Sequence, residues 1–417
     1  MRATTRALAC VAAAALAVAG CGRDSGGGQE QAKSVAGGKA TGEVTVWAMG
    51  TEGEKLGAFA SEFSKDNPDA KVTVTAVPWD AAHQKIASAI AAKQTPDVSM
   101  IGTTWQGEFA KTGALDPTPP GLIDKAAFFP GAWDTTVVGG TSYGVPWYVE
   151  TRVLFYRTDL AAKAGITAPP GSWSQLTALA SGLKQSGAQW GVYLQPGKTG
   201  SWQTVMPFAW SNGAEITDGT KYTLDSPEMV EALRYYQSFF TAKLAPTELA
   251  EGALEPGFAA GRIGAFVSGP WHVGLIKDQK LGTDKFTVAP MPKRKSATSF
   301  IGGSNIAVFK DAKNRDAAWK FIQWLSTPQV QARWYSTTGD LPAVQAAWQS
   351  PELSADPLLK VFGEQLKDAE APPTFPTWEQ VAAVFDTEVE KIAKTGADPA
   401  AALRRVQNRA DAIGTGS

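Results

Sequence analysis

The chain has 417 residues, of which 44% are apolar and 19% charged, which is typical of a globular protein with more than one domain. Basic and acidic residues number 39 and 40, so the net charge is −1, whereas nucleic-acid-binding proteins normally carry a basic excess. Two histidines and two cysteines are too few for a multi-histidine metal centre or a disulfide framework. We therefore expect no nucleic-acid partner, no metal and no cofactor. The unusual component is tryptophan, with 15 residues.

Residues 1–20 are typical of a secretory signal peptide, because Arg2 and Arg6 precede an apolar stretch too short to span a bilayer comfortably. The segment Val18-Ala19-Gly20-Cys21 resembles a bacterial lipobox, which implies that Cys21 becomes the first mature residue and carries lipid. A plain signal peptide with an incidental cysteine is the alternative. Residues 22–42 are rich in Gly, Ser and Ala and predict a flexible tether after the lipidated Cys21.

Strands and helices alternate in the first part of the mature chain. Residues 43–47, 71–77 and 97–101 have the patterns of strands. The helical periodicity of apolar side chains predicts helices over 52–65 and 80–93. A strand–helix–strand–helix–strand order with short connections favours parallel strands joined by right-handed crossovers.

The remainder mixes helices and short strands without a loose linker. Ser172, Ser226 and Thr327 stand where N-cap residues precede predicted helices. Further strands are predicted at 153–157, 264–267, 286–289 and 306–309. Because no segment after residue 42 is loose enough to separate independent domains, we expect two α/β lobes that share several chain crossings.

Polar and aromatic residues follow each of the three predicted parallel strands. Glu52 follows the first strand, Trp79 and Asp80 follow the second, and Trp105 follows the third. Since ligands of α/β sheets bind beyond the carboxyl ends of the strands, these residues should converge on one edge. Indole faces and hydrogen-bonding carboxylates together suit a carbohydrate. Alternatively, the two tryptophans are core anchors and the two carboxylates stabilise helix dipoles.

Glu150 and Arg152 are a second candidate pair, two positions apart in an extended segment. Both side chains project from the same side, so they either pair with each other or offer an acceptor and a donor to a ligand. Further candidates lie at element boundaries beside Gly, Pro and hydroxyl residues; these are Trp202, Gln203, Trp271, Ser304 and Trp378. In contrast, Trp319, Trp324 and Trp334 lie inside predicted helices and are assigned to packing.

Six segments spread along the chain carry a pattern shared with a known family. They are VTVWAMG (44–50), TPDVSMIGTTWQGEFAKTGALDP (95–117), YGVPWYVETRVLFYRTDL (143–160), SGPWHVGLI (268–276), FIGGSNIAVF (300–309) and PTWEQV (376–381). Together with the lipobox, they make residues 21–417 resemble the extracellular solute-binding lipoproteins of bacterial carbohydrate ABC importers, which are related to maltose-binding proteins. The resemblance implies an α/β fold, the two-lobe periplasmic-binding-protein-like fold, with hinge crossovers and a central ligand cleft.

The resemblance also implies roles for individual residues. By position, Glu150 resembles a hinge acidic residue that binds sugar hydroxyls. Trp271 and Trp378 resemble the stacking platforms of the second lobe, with Trp202 at that lobe's other aromatic position. First-lobe contacts would come from Glu52, Trp79, Asp80 and Trp105, with Arg152, Gln203 and Ser304 as additions, while His83 and His272 would be structural or rim residues. Lobe 1 would comprise 43–150 and about 304–347, and lobe 2 would comprise 151–303 and about 348–417.

The function that the resemblance implies is that of a receptor without catalysis. It would capture a di- or oligosaccharide and deliver it to the transmembrane permease subunits of an ABC importer. The protein would be a monomer on the extracytoplasmic side, anchored to the cell membrane through Cys21.

Two alternatives remain open at this point. One is an importer receptor for a polyol or another small solute. The other is a secreted glycosidase that uses two of Glu52, Asp80 and Glu150, although the sequence fixes no spacing for such a pair. Gly191 and Gly197 before Lys198-Thr199 are one residue too far apart for a P-loop, so we expect no nucleotide site.

Overall fold

The computed structural model describes residues 32–416, so the predicted signal peptide and Cys21 lie outside the described residues. The strands are β1 Gly42–Met49, β2 Ala70–Val77, β3 Val98–Gly102, β4 Val137–Val138, β5 Thr141–Ser142, β6 Val145–Thr151, β7 Val153–Arg157, β8 Ala265–Ser268, β9 Phe286–Ala289, β10 Ser299–Val308, β11 Leu341–Pro342 and β12 Ala369–Glu370. The α-helices are α1 Gly50–Phe59, α2 Ser61–Asp66, α3 Trp79–Ala92, α4 Gln106–Lys111, α5 Pro130–Asp134, α6 Thr158–Lys163, α7 Trp173–Gln185, α8 Trp202–Ser211, α9 Pro227–Thr241, α10 Leu254–Ala259, α11 Trp271–Asp278, α12 Arg315–Leu325, α13 Pro328–Thr338, α14 Pro351–Ser354, α15 Pro357–Gln365, α16 Trp378–Thr395 and α17 Pro399–Ile413. None of these helices is long and apolar enough to cross a membrane.

The larger sheet has seven strands, in the order β11–β6–β10–β3–β1–β2, with β12 beside β10. β1 pairs in parallel with both β2 and β3, which confirms the prediction from the alternating elements. β10 runs antiparallel between β3 and β6 and is longer than the strand predicted at 306–309. We call this sheet with its helices lobe 1. The carboxyl ends of its three parallel strands lie at one edge.

The smaller sheet has three strands in the order β8–β7–β9, and both pairings are antiparallel. We call this sheet with its helices lobe 2. β6 belongs to the larger sheet and β7 to the smaller, and Arg152 is the single residue between them. The chain therefore passes from lobe 1 to lobe 2 at Arg152, two residues after Glu150.

The chain changes lobe again after α14, near the position that the resemblance implied. Helix α14 contacts α13, which packs on lobe 1, whereas α15 contacts β7 and β9 of lobe 2. The chain then returns to the larger sheet at β12, which pairs with β10, before α16 contacts α8 and α9 of lobe 2.

Tryptophans in the helices of lobe 1 pack into its core, which confirms the prediction made for them. Trp319 is fully buried, and its indole Nε1 donates to Asp116 Oδ2 at 2.7 Å. Trp334 stacks on Trp147 with ring centroids 5.0 Å apart. Trp324 is half-buried against the same core. These side chains account for part of the tryptophan excess without a ligand.

The first predicted helix is divided in the structure. The apolar pattern predicts one helix over 52–65, but α1 ends at Phe59 and α2 begins at Ser61. Ala60 between them has ψ of −14°, and its carbonyl oxygen accepts from the backbone N–H of Phe63 at 3.1 Å, a three-residue spacing that is typical of a tighter 3-10 turn. Apolar side chains keep their spacing across this break, which is why the sequence pattern does not reveal it.

Residues 33–41 do not behave as the predicted flexible tether. Arg315 Nη2 donates to the carbonyl oxygen of Lys33 at 2.8 Å. Ala40 is buried, and its backbone N–H donates to Asn67 Oδ1 at 2.8 Å. The tether prediction is therefore wrong for this stretch. Its backbone groups form hydrogen bonds with side chains of lobe 1, and the polar composition of the sequence does not reveal them.

Serine N-caps begin two helices of lobe 2 where the sequence predicted them. Ser226 Oγ accepts from the backbone N–H of Met229 at 3.2 Å, and Ser172 Oγ accepts from that of Gln175 at 3.4 Å. Thr327 precedes α13 but makes no side-chain cap, so the predicted cap is wrong there. Its hydroxyl donates backwards instead, into the end of the preceding helix.

We expect Ser226→Ala to lower the free energy of unfolding by about 1 kcal/mol, because an N–H in the first turn of α9 loses its acceptor. Thr327→Ala is the matched control at an equivalent position without a cap bond, and its loss should be less than about half as large. Urea unfolding followed by circular dichroism measures both values. Equal losses in the two variants would contradict the capping role of Ser226.

Candidate functional site

Two exposed tryptophans mark the surface that the sequence predicted as a binding site. Within residues 32–416, the exposed large apolar side chains are Trp79, Trp271 and Leu275, with 40%, 42% and 41% of their surface accessible. Trp79 begins α3 just after β2, and Trp271 begins α11 just after β8. Each lobe therefore presents an indole near strand ends, and an apolar ring left in water is suited to be covered by a ligand.

The lobe 1 part of the site is built around Trp79 and Trp105. Their rings meet edge to face, with centroids 5.8 Å apart and an interplanar angle of 65°. Trp105 lies over Gly102, where an added Cβ would come within 3.2 Å of the indole. His83 packs against Trp105 at 5.3 Å and its Nε2 lies 3.0 Å from Glu108 Oε2. The two predicted tryptophans therefore converge, and His83 supports one of them.

Gly50 brings the Trp79 indole close to the Glu52 carboxylate. A Cβ at Gly50 would lie 2.8 Å from Trp79 Nε1 and 3.4 Å from Glu52 Oε2. Its φ of +52° is also a conformation that favours glycine. Asp80 is exposed in the first turn of α3. Its carboxylate lies near the positive end of the helix dipole and is accessible to a ligand. An indole N–H and a carboxylate thus lie side by side at this edge.

Tyr148 joins Glu52 to a group of polar residues that the sequence analysis did not select. Its phenol interacts with the Glu52 carboxylate and lowers the pKa of that group, which offsets part of the effect of burial. Ser304 is fully buried, and its hydroxyl donates to Tyr148 Oη at 3.3 Å. Asp340 interacts with Glu52 electrostatically and accepts a hydrogen bond from Trp334 Nε1 at 3.1 Å. Ser304, predicted as a ligand contact, instead supports Tyr148 from behind.

Burial and mutual repulsion shift the protonation of this group. Removal from water raises the pKa of Glu52 above its usual value. Burial and the neighbouring Glu52 carboxylate raise the pKa of Asp340 to about 7. Burial and the charges of Glu52 and Asp340 likewise raise the pKa of Tyr148 well above its ordinary value. The carboxyl groups of Glu52 and Asp340 therefore remain partly protonated at a pH where isolated carboxyl groups are ionised.

We expect Asp340→Asn to become more stable relative to wild type as the pH rises from about 4 to about 7. The folded Asp340 carboxyl keeps a proton that the unfolded chain has already lost, so wild-type stability falls through this window and levels off above it. One such proton contributes a slope of at most about 1.4 kcal/mol per pH unit. Urea unfolding of both proteins at pH 4, 5.5, 7 and 8 measures the difference, and a difference independent of pH would contradict the assignment.

Glu150 and Arg152 pair with each other, which is one of the two outcomes that the sequence left open. Glu150 Oε1 lies 3.3 Å from Arg152 Nη1, and Arg152 Nη2 donates to Gln203 Oε1. The guanidinium also lies over the ring of Phe300 at 5.0 Å from its centroid. Arg152 Nη1 is buried and makes no well-directed hydrogen bond, so its link to Glu150 is an ion pair alone. Arg152 therefore connects the hinge carboxylate to lobe 2.

Arg152 also holds the Trp271 indole in place. The guanidinium carbon lies 4.9 Å from the centroid of the Trp271 ring. An added Cβ at Gly269 would lie 2.0 Å from Trp271 Cζ3, so only glycine leaves room for the ring in this position. The indole is supported from these two sides and remains 42% exposed. Such a ring can stack on a ligand without reorganising.

The two lobes approach each other beside Trp105. Helix α16 of lobe 2 contacts the short 3-10 helix Thr103–Trp105. An added Cβ at Gly107 would lie 2.0 Å from the carbonyl oxygen of Thr374, and Thr374 Oγ1 donates to the carbonyl oxygen of Val137 at 2.8 Å. The residues after β3 therefore face lobe 2 directly, as expected for one wall of a cleft.

Two of the tryptophans predicted as ligand contacts of lobe 2 are buried. Trp378 is fully buried and Trp202 is 3% exposed. Their rings meet at 87° with centroids 5.1 Å apart, and Trp202 also packs on Phe300 at 5.3 Å. A buried indole cannot stack on a sugar, so we correct the platform role of Trp378 and the ligand-contact role of Trp202 and assign both to the core of lobe 2. Gln203, next to Trp202, accepts a hydrogen bond from Arg152 Nη2 through its Oε1.

A cavity of about 1040 Å³ lies apart from these residues. Lys111 of α4, Asp134 of α5 and the segment 369–376 line it. It contains none of the predicted site residues, so its size does not identify the binding site. The exposed indoles and the polar side chains beside them are the better indication.

The chain matches a known protein family over most of its length. Residues 48–332 match the model of the family described as bacterial extracellular solute-binding protein. The chain is a bacterial extracellular solute-binding protein. Its structure is similar to that of the sugar-binding protein MalE from Xanthomonas citri, with a TM-score of 0.85, 32% identity, and coverage of 89% of this chain and 97% of the other.

Further similar proteins are named for the sugars that they bind. The diacetylchitobiose binding protein DasA of Streptomyces coelicolor is 26% identical over 392 residues, which are 89% of this chain and 88% of the relative. The maltotriose-binding protein of Pyrococcus abyssi is 26% identical over 387 residues, 88% of this chain and 81% of the relative. The family and the two-lobe α/β fold that the sequence motifs implied are thereby confirmed.

Tyr148 and Asp340 belong to this solute-binding protein's candidate site but are not among the residues predicted from the sequence. Tyr148 stands two positions before Glu150 in β6, so the alternation of a strand places both side chains on one face. The two-residue alternation that relates Glu150 to Arg152 therefore also relates Tyr148 to Glu150. Asp340 lies near Glu52 through contacts between residues far apart in sequence, and no local pattern indicates it.

Proposed function

We propose that this protein is the substrate-binding component of an ABC importer and that it captures an oligosaccharide between its two lobes. The observation that supports this most directly is the pair of exposed indoles, Trp79 on lobe 1 and Trp271 on lobe 2. Glu52, which interacts with Tyr148, lies beside Trp79 at Gly50, and Glu150 is joined to Trp271 through Arg152. Apolar faces with hydrogen-bonding groups at their edges suit a sugar ring, whose C–H faces are ringed by hydroxyls.

Closure of the two lobes around the sugar is the mechanism that we propose. A ligand that touches both lobes interacts more strongly with the closed form, and this difference shifts the hinge equilibrium. Arg152 is placed to take part, because it lies at the passage between the sheets and contacts Trp271. The closed form then docks on the permease, which receives the sugar unchanged.

The proposal is tested by isothermal titration of the purified protein against maltose-, trehalose-, cello-, xylo- and chito-oligosaccharides. We expect one series to bind with a dissociation constant of about 1 μM or lower, which corresponds to about −8 kcal/mol. Absence of heat across the whole panel, with a folded protein, would contradict a sugar ligand. Binding of polyols alone would favour the small-solute receptor instead.

We also propose that the protein has no catalytic activity toward its ligand. Two of the three carboxyls considered for catalysis interact with other groups of the protein: Glu52 with Tyr148, and Glu150 with Arg152. Incubation of the protein with the bound oligosaccharide, followed by chromatography of the products, tests this. Recovery of the intact sugar is expected, whereas turnover would support the glycosidase alternative.

We propose that the protein acts as a monomer on the extracytoplasmic side and is held at the cell membrane by lipid on Cys21. This family is extracellular, and the lipobox sequence before Cys21 supports the anchor. We expect Cys21→Ser to move the protein from the membrane fraction to a soluble one, because lipid attachment requires the thiol. Equal amounts of wild type and variant in the membrane fraction would contradict the anchor.

A further inference from the structure

Leu275 is an exposed apolar side chain next to the candidate site that the proposed function does not use. It is 41% exposed, nearly the same as Trp271, which lies four positions earlier on α11. Residues four apart on a helix lie on one face, so the two side chains share a face of α11 and define an apolar strip along it. Single exposed leucines are common on proteins, but this one lies one helical turn from an exposed indole.

Gly274 lies on the same face and leaves it open. An added Cβ there would meet no atom within 4 Å. A glycine inside a helix costs about 1 kcal/mol relative to alanine, and no neighbouring atom requires glycine at this position. The missing side chain keeps the surface between Trp271 and Leu275 flat.

Two polar side chains of α11 engage other elements. His272 is buried, with Nδ1 2.8 Å from Ser268 Oγ and Nε2 3.1 Å from Glu255 Oε1. Lys277 pairs with Asp356 at 3.3 Å. Asp278 is exposed on the same face as Trp271 and Leu275, so the stretch free of charge runs from Trp271 to Leu275 and ends at that carboxylate.

We propose that Trp271, Gly274 and Leu275 form an apolar shelf that receives a further pyranose ring of a linear oligosaccharide, beyond the ring on Trp271. One helical turn separates the two apolar side chains, about 6 Å along the axis, which is comparable with the length of one sugar unit. Continuity with Trp271, which Arg152 joins to Glu150, is what favours a sugar over a protein segment as the occupant. This inference rests on the proposed function and specifies its ligand as a chain longer than a disaccharide.

Titrations by chain length test the shelf, with maltose, maltotriose and maltotetraose and with cellobiose, cellotriose and cellotetraose as probes. For the series that wild type binds, the tetrasaccharide should bind more tightly than the disaccharide. Leu275→Ala should weaken the tetrasaccharide about fivefold and the disaccharide less than about twofold, since truncation removes about 1 kcal/mol of apolar contact.

Gly274→Ala gives a second test, in which the protein is expected to lose no stability. Its melting temperature should equal or exceed that of wild type, because alanine favours the helix and its methyl group meets no protein atom. The methyl group would stand on the shelf and lower tetrasaccharide affinity selectively. Leu122→Ala, a partly buried leucine of lobe 1 whose carbonyl accepts from Gln323, is the matched control and should leave all affinities unchanged.

The outcomes separate the shelf from the proposed function. Equal wild-type affinities for di- and tetrasaccharides, or equal losses at every length in both α11 variants, would overturn the shelf while leaving the sugar receptor standing. Unchanged sugar affinities in the variants would also overturn it, and would point to a protein surface at Leu275. No binding of any oligosaccharide by wild type would overturn both.

Discussion

Replacing Trp271 by alanine is expected to weaken oligosaccharide binding by about 10- to 100-fold, since an apolar ring covered by a ligand contributes roughly 1.5–3 kcal/mol. The stability of the protein should change little. The indole is 42% exposed, so its removal takes little apolar area out of the core. Isothermal titration measures the affinity, and urea unfolding measures the stability.

Trp190→Ala is a matched control for this variant. Trp190 is also a partly exposed indole of lobe 2 with a cation over its ring, the Lys184 ammonium at 5.7 Å, but it is outside the candidate site. Its replacement should leave affinity within about twofold of wild type, less than 0.5 kcal/mol. Equal affinities of Trp271→Ala and wild type would refute the stacking role.

Replacing Arg152 by methionine is expected to reduce both stability and affinity. The change leaves the Glu150 carboxylate, which is 22% exposed, without its cation and removes the support beneath Trp271. Breaking a buried ion pair from one side costs about 3–5 kcal/mol, and the residual exposure of Glu150 reduces the expected loss to about 2–3 kcal/mol. Sugar affinity should fall at least about tenfold, because Trp271 and Glu150 both lose their fixed positions.

Arg405→Met provides the comparison for the Arg152 variant. Arg405 pairs with Glu388 at 2.5 Å, but its side chain is 50% exposed. Glu388 is 8% exposed but keeps a second cation in this variant, since Lys391 Nζ lies 2.7 Å from Glu388 Oε1, so the variant should lose less stability than Arg152→Met and no affinity. If the two variants were equally stable and bound sugar equally well, Arg152 would have no role in positioning the site.

Local patterns were sufficient to predict the parallel part of lobe 1. Alternation and helical periodicity placed β1, β2, β3 and α3 within about two residues, because these elements bury one side against neighbours that are close in sequence. The turns after these strands then follow from topology, and with them the convergence of Trp79 and Trp105.

Burial of single tryptophans could not be predicted in the same way. Trp202 and Trp378 lie beside glycine, proline and hydroxyl residues just as Trp271 does, yet they pack against each other inside lobe 2. Their contact joins segments far apart in the chain, and a local pattern carries no information about it. Asp340 near Glu52 is the same case among polar residues.

A crystal structure of the protein with the tightest-binding oligosaccharide of the panel tests the central claim most directly. We predict that one sugar chain touches both lobes, with a ring against the open face of Trp271 and hydroxyls within hydrogen-bonding distance of the Glu52, Tyr148 or Glu150 side chains. A sugar seated elsewhere, for example in the cavity lined by Lys111, Asp134 and Glu370, or held by one lobe alone, would contradict the account.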